Sequence, residues 1–123
     1  MTTLQKKVFQ ILQIFTQICD QLQLKYFLVC GSALGAVKYG GFVPWDDDAD
    51  VALFRNDYER FCKEAPALLP EQLFLQNFQS DPAFPAIYSK LRNSETTCIE
   101  ESVAALPINH GISIDIFPLD GYP

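Results

Sequence analysis

Gly31-Ser32-Ala33-Leu34-Gly35-Ala36-Val37 is followed shortly by Pro44-Trp45-Asp46-Asp47-Asp48-Ala49-Asp50, which runs straight into the apolar Val51-Ala52-Leu53-Phe54. The first stretch reads as a turn of small residues opening a helix, with Ser32 as its N-cap. The second places four carboxylates within five residues. Like charges this close repel, and partial desolvation makes the cluster costlier still. A bound divalent cation relieves both penalties. A phosphate-sized anion site beside a cation site points to nucleotide or phosphoryl chemistry.

Outward from that stretch, the chain alternates between two periodicities. Leu4, Val8, Ile11, Leu12, Phe15, Ile18, Cys19 and Leu22 recur at spacings of three and four, which predicts an amphipathic helix over residues 3–23. Tyr26-Phe27-Leu28-Val29-Cys30 reads as a buried strand ending at Gly31. The helix capped by Ser32 runs to about Tyr39, and Gly40-Gly41 stops it. A loop through Phe42, Pro44 and Trp45 leads into a strand over residues 48–54. Asn56 or Asp57 is expected to cap the next helix, which carries Tyr58, Phe61 and Cys62 and ends near Pro66. Strands are expected at residues 73–78 and 86–91, with a turn-rich link over 79–85 and a short strand or edge at 96–99. Ile112, Ile114 and Ile116 alternate with Ser113, Asp115 and Phe117 in a last strand. Without a regular βαβ repeat, the expected fold class is α+β with a mixed sheet.

Bulk composition narrows the function classes. At 123 residues, 49% hydrophobic and 20% charged, the chain suits one globular domain rather than disorder. Its net charge of -6 leaves no basic stripe for long nucleic acid. Cys19, Cys30, Cys62 and Cys98 form no Cys-x-x-Cys pair and sit among apolar neighbours, so they read as small core residues in a reducing compartment. No apolar run reaches membrane-spanning length, and Gln10, Gln13 and Gln17 interrupt what a secretory leader would need. The expected location is the cytoplasm. The chain stops just after its last strand, at Asp120-Gly121-Tyr122-Pro123, which reads as the N-terminal part of a longer protein.

In a strand, residues i and i+2 share a face, so Asp48 and Asp50 project together while Ala49 and Val51 face away. Two carboxylates on a rigid element suit an oxygen-loving Mg²⁺ or Mn²⁺. Asp115, between Ile114 and Ile116, is a third carboxylate in need of a partner. At Gly31-Ser32 the missing Cβ and the free N–H groups of the helix start favour a phosphate. Lys38, Lys90 and Arg92 are the candidate cationic contacts. Trp45 reads as packing beneath the aspartate loop rather than as a stacking platform, and His110 as a loop residue.

Strand, Gly-Ser turn, helix, Asp-x-Asp strand and a later single-Asp strand occur in the order of the nucleotidyltransferase superfamily, to which the polymerase β enzymes are also similar. Within it, Gly31 to Lys38, Gly41 to Val51, Asp57-Tyr58-Glu59-Arg60-Phe61 and Ile114 to Gly121 resemble the signature segments of the LicD family, across about residues 4–123. The resemblance implies a single nucleotidyltransferase-fold domain. It also implies a metal-dependent phosphotransferase that moves an alcohol phosphate, such as phosphocholine from CDP-choline, onto a cell-surface glycan: lipopolysaccharide or teichoic acid. By position, Asp48, Asp50 and Asp115 match the metal carboxylates, Asp46 a supporting acidic position, Gly31 and Ser32 the phosphate turn, and Lys38 and Lys90 basic positions near the nucleotide. Two other readings stay open: transfer of NMP with release of pyrophosphate, and an inactive fragment that binds metal or nucleotide.

Overall fold

The computed structural model describes residues 3–28, 49–96, 108–109 and 111–120. The expected helix at 32–39, the short strand at 96–99 past its first residue, and the site residues Gly31, Ser32, Lys38, Asp46 and Asp48 lie outside these, as do Trp45, His110, Cys30 and Cys98.

Helix α1 (Thr3–Leu22) follows the predicted periodicity, and Val8, Ile11, Phe15, Ile18 and Cys19 are buried along one stripe. One residue breaks the pattern: Gln5, polar and on the same stripe, is also buried. The helix ends in a left-handed residue, Gln23 at φ 59°. The Gln23 N–H donates to the Asp20 carbonyl at 3.2 Å and the Leu24 N–H to the Cys19 carbonyl at 2.8 Å. This pair of bonds is a Schellman cap, closed by the buried pair Cys19 and Leu24.

Five strands follow: β1 (Tyr26–Leu28), β2 (Asp50–Phe54), β3 (Leu73–Gln76), β4 (Ser89–Asn93) and β5 (Ile112–Leu119), with helix α2 (Arg55–Glu64) and a 3-10 turn (Ala65–Ala67) between β2 and β3. They form one mixed sheet in the order β1-β2-β5-β4-β3. The β2–β5 pair is parallel and the other pairs are antiparallel. The α+β class with a mixed sheet is therefore present.

Alternation along the strands decides where the core sits. Val51, Leu53, Leu75, Leu91, Ile114 and Ile116 are buried and form one cluster with the α1 stripe and with Tyr58 and Phe61 of α2. Phe15 stands at its centre, 5.7 Å from the Tyr26 ring and 5.1 Å from the Phe61 ring. Cys19 lies in this cluster, and burial pushes its thiol up to about 12, so it stays protonated and inert.

Three sequence expectations need correction. Helix α2 starts at Arg55, directly from the strand, with Phe54 at the N-cap and no side-chain cap bond. Asn56 and Asp57 are therefore inside the first turn, where Asp57 complements the helix dipole instead of capping. Strand β3 stops at Gln76 rather than 78, because Asn77 turns the chain: its Oδ1 accepts from the Gln79 and Ser80 N–H groups. Strand β4 spans Ser89–Asn93 rather than 86–91, since its register is set by pairing with Ile112–Ile116 of β5 and not by its own apolar run.

Gly111 shows how tightly β5 enters the sheet. A Cβ built there would lie 2.1 Å from the Asn93 carbonyl oxygen, which is backbone and cannot rotate away. Gly111→Ala is expected to destabilise the chain by about 1–3 kcal/mol through this overlap. Urea unfolding of the two proteins measures it, and an unchanged midpoint would contradict the close approach.

Candidate active site on the polar face of the sheet

The face of the sheet opposite the helices carries the charged groups. Asp50 and Asp115 are direct neighbours across the parallel β2–β5 pair. Adjacent strands lie about 4.8 Å apart, so the two carboxylates leave the same face side by side. On the other flank of β5, Lys90 is the antiparallel partner of Asp115, and Gln76 is the partner of Lys90. Asp50, Asp115, Lys90 and Gln76 thus form one row across four strands. The Asp115 amide also donates to the Ala49 carbonyl at 3.0 Å, which ties the start of β2 to the same row.

Solvent access falls along the row. The Asp115 side chain is 25% exposed and the Lys90 side chain 8%, while Gln76 is fully buried. Lys90 Nζ lies 3.0 Å from Asp115 Oδ1. A buried ammonium is tolerable only with such a partner. The sequence expectation of an unsatisfied carboxylate at Asp115 is thereby resolved: β4 supplies a cation that sequence order places 25 positions away.

Arg92 departs from its expected role as a phosphate contact. It is 2% exposed, and its Nε donates to Gln76 Oε1 at 2.6 Å while Nη1 donates to the Gly111 carbonyl at 2.6 Å. Gln76 Nε2 in turn donates to Asp81 Oδ2 at 2.9 Å and to the Asn109 carbonyl at 3.0 Å, and the Asn109 N–H donates to Asp81 Oδ2 at 2.9 Å. These bonds fasten the approach to β5 and the turn after β3 to the middle of β4. Arg92 therefore holds the strand that presents Lys90. Sequence reading missed this network; its one signal was Gln76 closing an apolar strand.

Aromatic residues continue the polar face beyond Asp115. Phe117, two residues on, packs 4.7 Å from the Tyr88 ring, and Phe84 meets Tyr88 edge-on at 6.2 Å. Tyr88 also lines a groove of about 490 Å³ between α2 and residues 77–88, together with Tyr58, Cys62 and Asn77. The Tyr58 hydroxyl and the buried Ser89 hydroxyl share a hydrogen bond of 2.6 Å, and Cys62 Sγ is 3.6 Å from Ser89 Oγ. Burial raises the Tyr58 hydroxyl to about 12 and also raises the Cys62 thiol, so both stay protonated at neutral pH. Tyr58→Phe is expected to cost about 1 kcal/mol, the net value of one hydrogen bond plus the penalty on Ser89. A thermal melt of that variant indistinguishable from wild type would show the pair to be energetically silent.

Two register-paired carboxylates with a lysine against one of them do not by themselves fix a family, so the comparison with known families decides. The family model described as LicD/FKTN/FKRP, nucleotidyltransferase domain, matches residues 23–119. The chain belongs to the LicD family. This LicD-family chain is 43% identical over 51 residues to the lipopolysaccharide cholinephosphotransferase LicD of Haemophilus influenzae, a match covering 42% of this chain and 19% of that protein. It is 25% identical over 117 residues to an uncharacterized protein of Rickettsia prowazekii, covering 94% of this chain and 40% of that one. A second uncharacterized protein, from Rickettsia typhi, is 29% identical over 59 residues, 48% of this chain and 19% of that one. The matches thus span between 19% and 40% of the length of these relatives. Among the described residues, no helix is long and apolar enough to cross a membrane.

Among the described residues no three His, Cys, Asp or Glu side chains cluster as a metal site. Asp50 and Asp115 nonetheless fit a hard divalent cation in donor type and placement: oxygen donors, side by side, on paired central strands.

Proposed function

We propose that this LicD-family chain is the nucleotidyltransferase-fold catalytic part of a phosphotransferase that moves an alcohol phosphate from a CDP-alcohol, CDP-choline first among them, to a hydroxyl of a cell-surface glycan such as lipopolysaccharide. The observation that carries the reading is the Asp50–Asp115 pair in register, in a chain that resembles a cholinephosphotransferase. Asp50 and Asp115 would hold Mg²⁺ or Mn²⁺, with Asp48 assigned beside them from its position in the motif and Asp46 in support. The ion, when bound, supplies positive charge to the donor's diphosphate. Gly31, Ser32 and Lys38 are assigned to the donor's phosphate from their positions in the motif. Lys90 sits in the row beside the carboxylates, within reach of a phosphate held on them.

In the proposed reaction an acceptor hydroxyl attacks the β-phosphorus in line. The new bond is oxygen to phosphorus, and the broken bond is the one from that phosphorus to the bridging oxygen, so CMP leaves with the bonding pair. The hydroxyl proton passes to a carboxylate on the polar face, for which Asp115 is the assigned group. Catalysis here is chiefly positioning and electrostatic stabilisation, which a rigid sheet row suits.

The test is calorimetric titration of CDP-choline with Mg²⁺ and again with EDTA, followed by product analysis with a glycan acceptor. Metal-dependent binding and CMP release are expected. Pyrophosphate release from a nucleoside triphosphate would assign nucleotidyl transfer instead, and no metal-dependent binding by folded protein would remove the reading.

A further inference from the structure

We infer that Lys90 is a built-in counter-ion that occupies the electrostatic place of the divalent cation, so that cation binding and release of the Lys90–Asp115 pair are coupled. The inference rests on the metal reading of Asp50 and Asp115. Three observations carry it. Lys90 Nζ is 3.0 Å from Asp115 Oδ1, a charge-assisted contact at one of the proposed ligand oxygens. The lysine side chain is 8% exposed, so water does little to screen its charge. The strand register fixes Lys90 opposite Asp115, so its approach is a property of the sheet and not of a wandering surface chain.

The physical consequence is a linkage. The Lys90 ammonium already offsets part of the charge of the Asp50–Asp115 pair. A divalent cation added to that row meets the ammonium at short range in a poorly screened site, and the two repel. Binding therefore requires the ammonium to leave Asp115. The lysine stem is flexible, with four methylenes, and can swing its head a few ångströms without moving β4. Swung out, it is a point cation beside the place where an anionic donor would sit. Metal alone displaces the ammonium from Asp115, whereas metal together with an anionic donor gives the displaced ammonium an opposite charge to face. Metal and donor accordingly bind with positive cooperativity, and without metal the pair offsets the charge of Asp115.

Removing the ammonium should strengthen metal binding, the reverse of what a lysine that merely helps build the site would do. The measurement is Mn²⁺ binding to the 123-residue chain, read from the loss of the free-ion electron paramagnetic resonance signal, with no nucleotide present. Lys90→Met keeps the length and apolar stem of the side chain and is expected to bind Mn²⁺ about tenfold more tightly than wild type, because Asp115 loses a competing cation. Lys90→Arg keeps the charge and should stay close to wild type. Lys90→Gln serves the same purpose as Lys90→Met if the latter does not fold by circular dichroism. Tighter Mn²⁺ binding in the neutral variants supports the inference. Equal or weaker binding in a folded neutral variant overturns it, while the metal reading stands if wild type binds Mn²⁺ and Asp50→Asn does not. If neither wild type nor a folded neutral variant binds Mn²⁺, the metal reading and the inference fall together.

Discussion

Asp50→Asn is expected to lower the rate of the proposed phosphotransfer by about a thousandfold or more while leaving the fold in place. The substitution keeps the size and shape of the side chain and removes one negative charge. On the proposed metal reading, that charge is what a hard cation would need from Asp50, and an amide oxygen would be a poor replacement beside the Asp115 carboxylate. Structural cost is small because Asp50 begins β2 and is only half-buried, while the packing of that strand comes from Val51 and Leu53 on the opposite face. Initial rates at saturating CDP-choline and Mg²⁺, alongside a thermal melt, separate the two effects. Wild-type turnover by the Asn variant would end the assignment of Asp50 as a metal ligand. Asp115 is a less clean target, since an Asn there also removes the carboxylate charge 3.0 Å from the buried Lys90 ammonium.

The second large effect concerns stability. Arg92→Ala is expected to destabilise the chain by about 3–5 kcal/mol, the range for breaking a buried charged hydrogen-bond network. Three losses combine. Gln76 Oε1 and the Gly111 carbonyl lose their donors inside the protein. The volume of one of the largest fully buried side chains is vacated. The link from β4 through Gln76 to Asp81 and Asn109 is cut at its centre. The melting temperature should fall by about 10 °C or more for a chain of this size. Arg92→Lys should recover only part of this, because an ammonium is a point donor and cannot reproduce the guanidinium fork that serves two acceptors at once. A melt within a degree or two of wild type for Arg92→Ala would show that the network contributes little.

Both effects trace to the same strand. Lys90 and Arg92 are two residues apart in β4 and share its polar face. Lys90 pairs with Asp115, and Arg92 is consumed in holding the neighbouring backbone. Identical charge and shared face thus lead to opposite fates. The difference is position across the sheet: Lys90 lies opposite a carboxylate, and Arg92 lies opposite Ser113 with the Gly111 carbonyl and Gln76 within reach.

Much was legible in the chain itself. The three-and-four spacing from Leu4 to Leu22 determined α1, because a helix that long with one apolar face has a single way to bury it. Alternation in Ile112 to Phe117 assigned Ile114 and Ile116 to the core and Asp115 to the other face, since a strand has only two faces. Gly31-Ser32 and Asp48-Ala49-Asp50 resemble the LicD family by residue types and order alone, because such segments encode their chemistry locally. Tertiary structure alone decided the rest. That Asp50 and Asp115 stand side by side depends on β2 and β5 pairing in parallel at one particular register, and register is a property of two strands jointly. The same holds for the capture of Asp115 by Lys90, for the diversion of Arg92 into a buried framework, and for where β4 begins. Each is fixed by the partner across the sheet, and a chain read in one dimension carries no direct record of its partner.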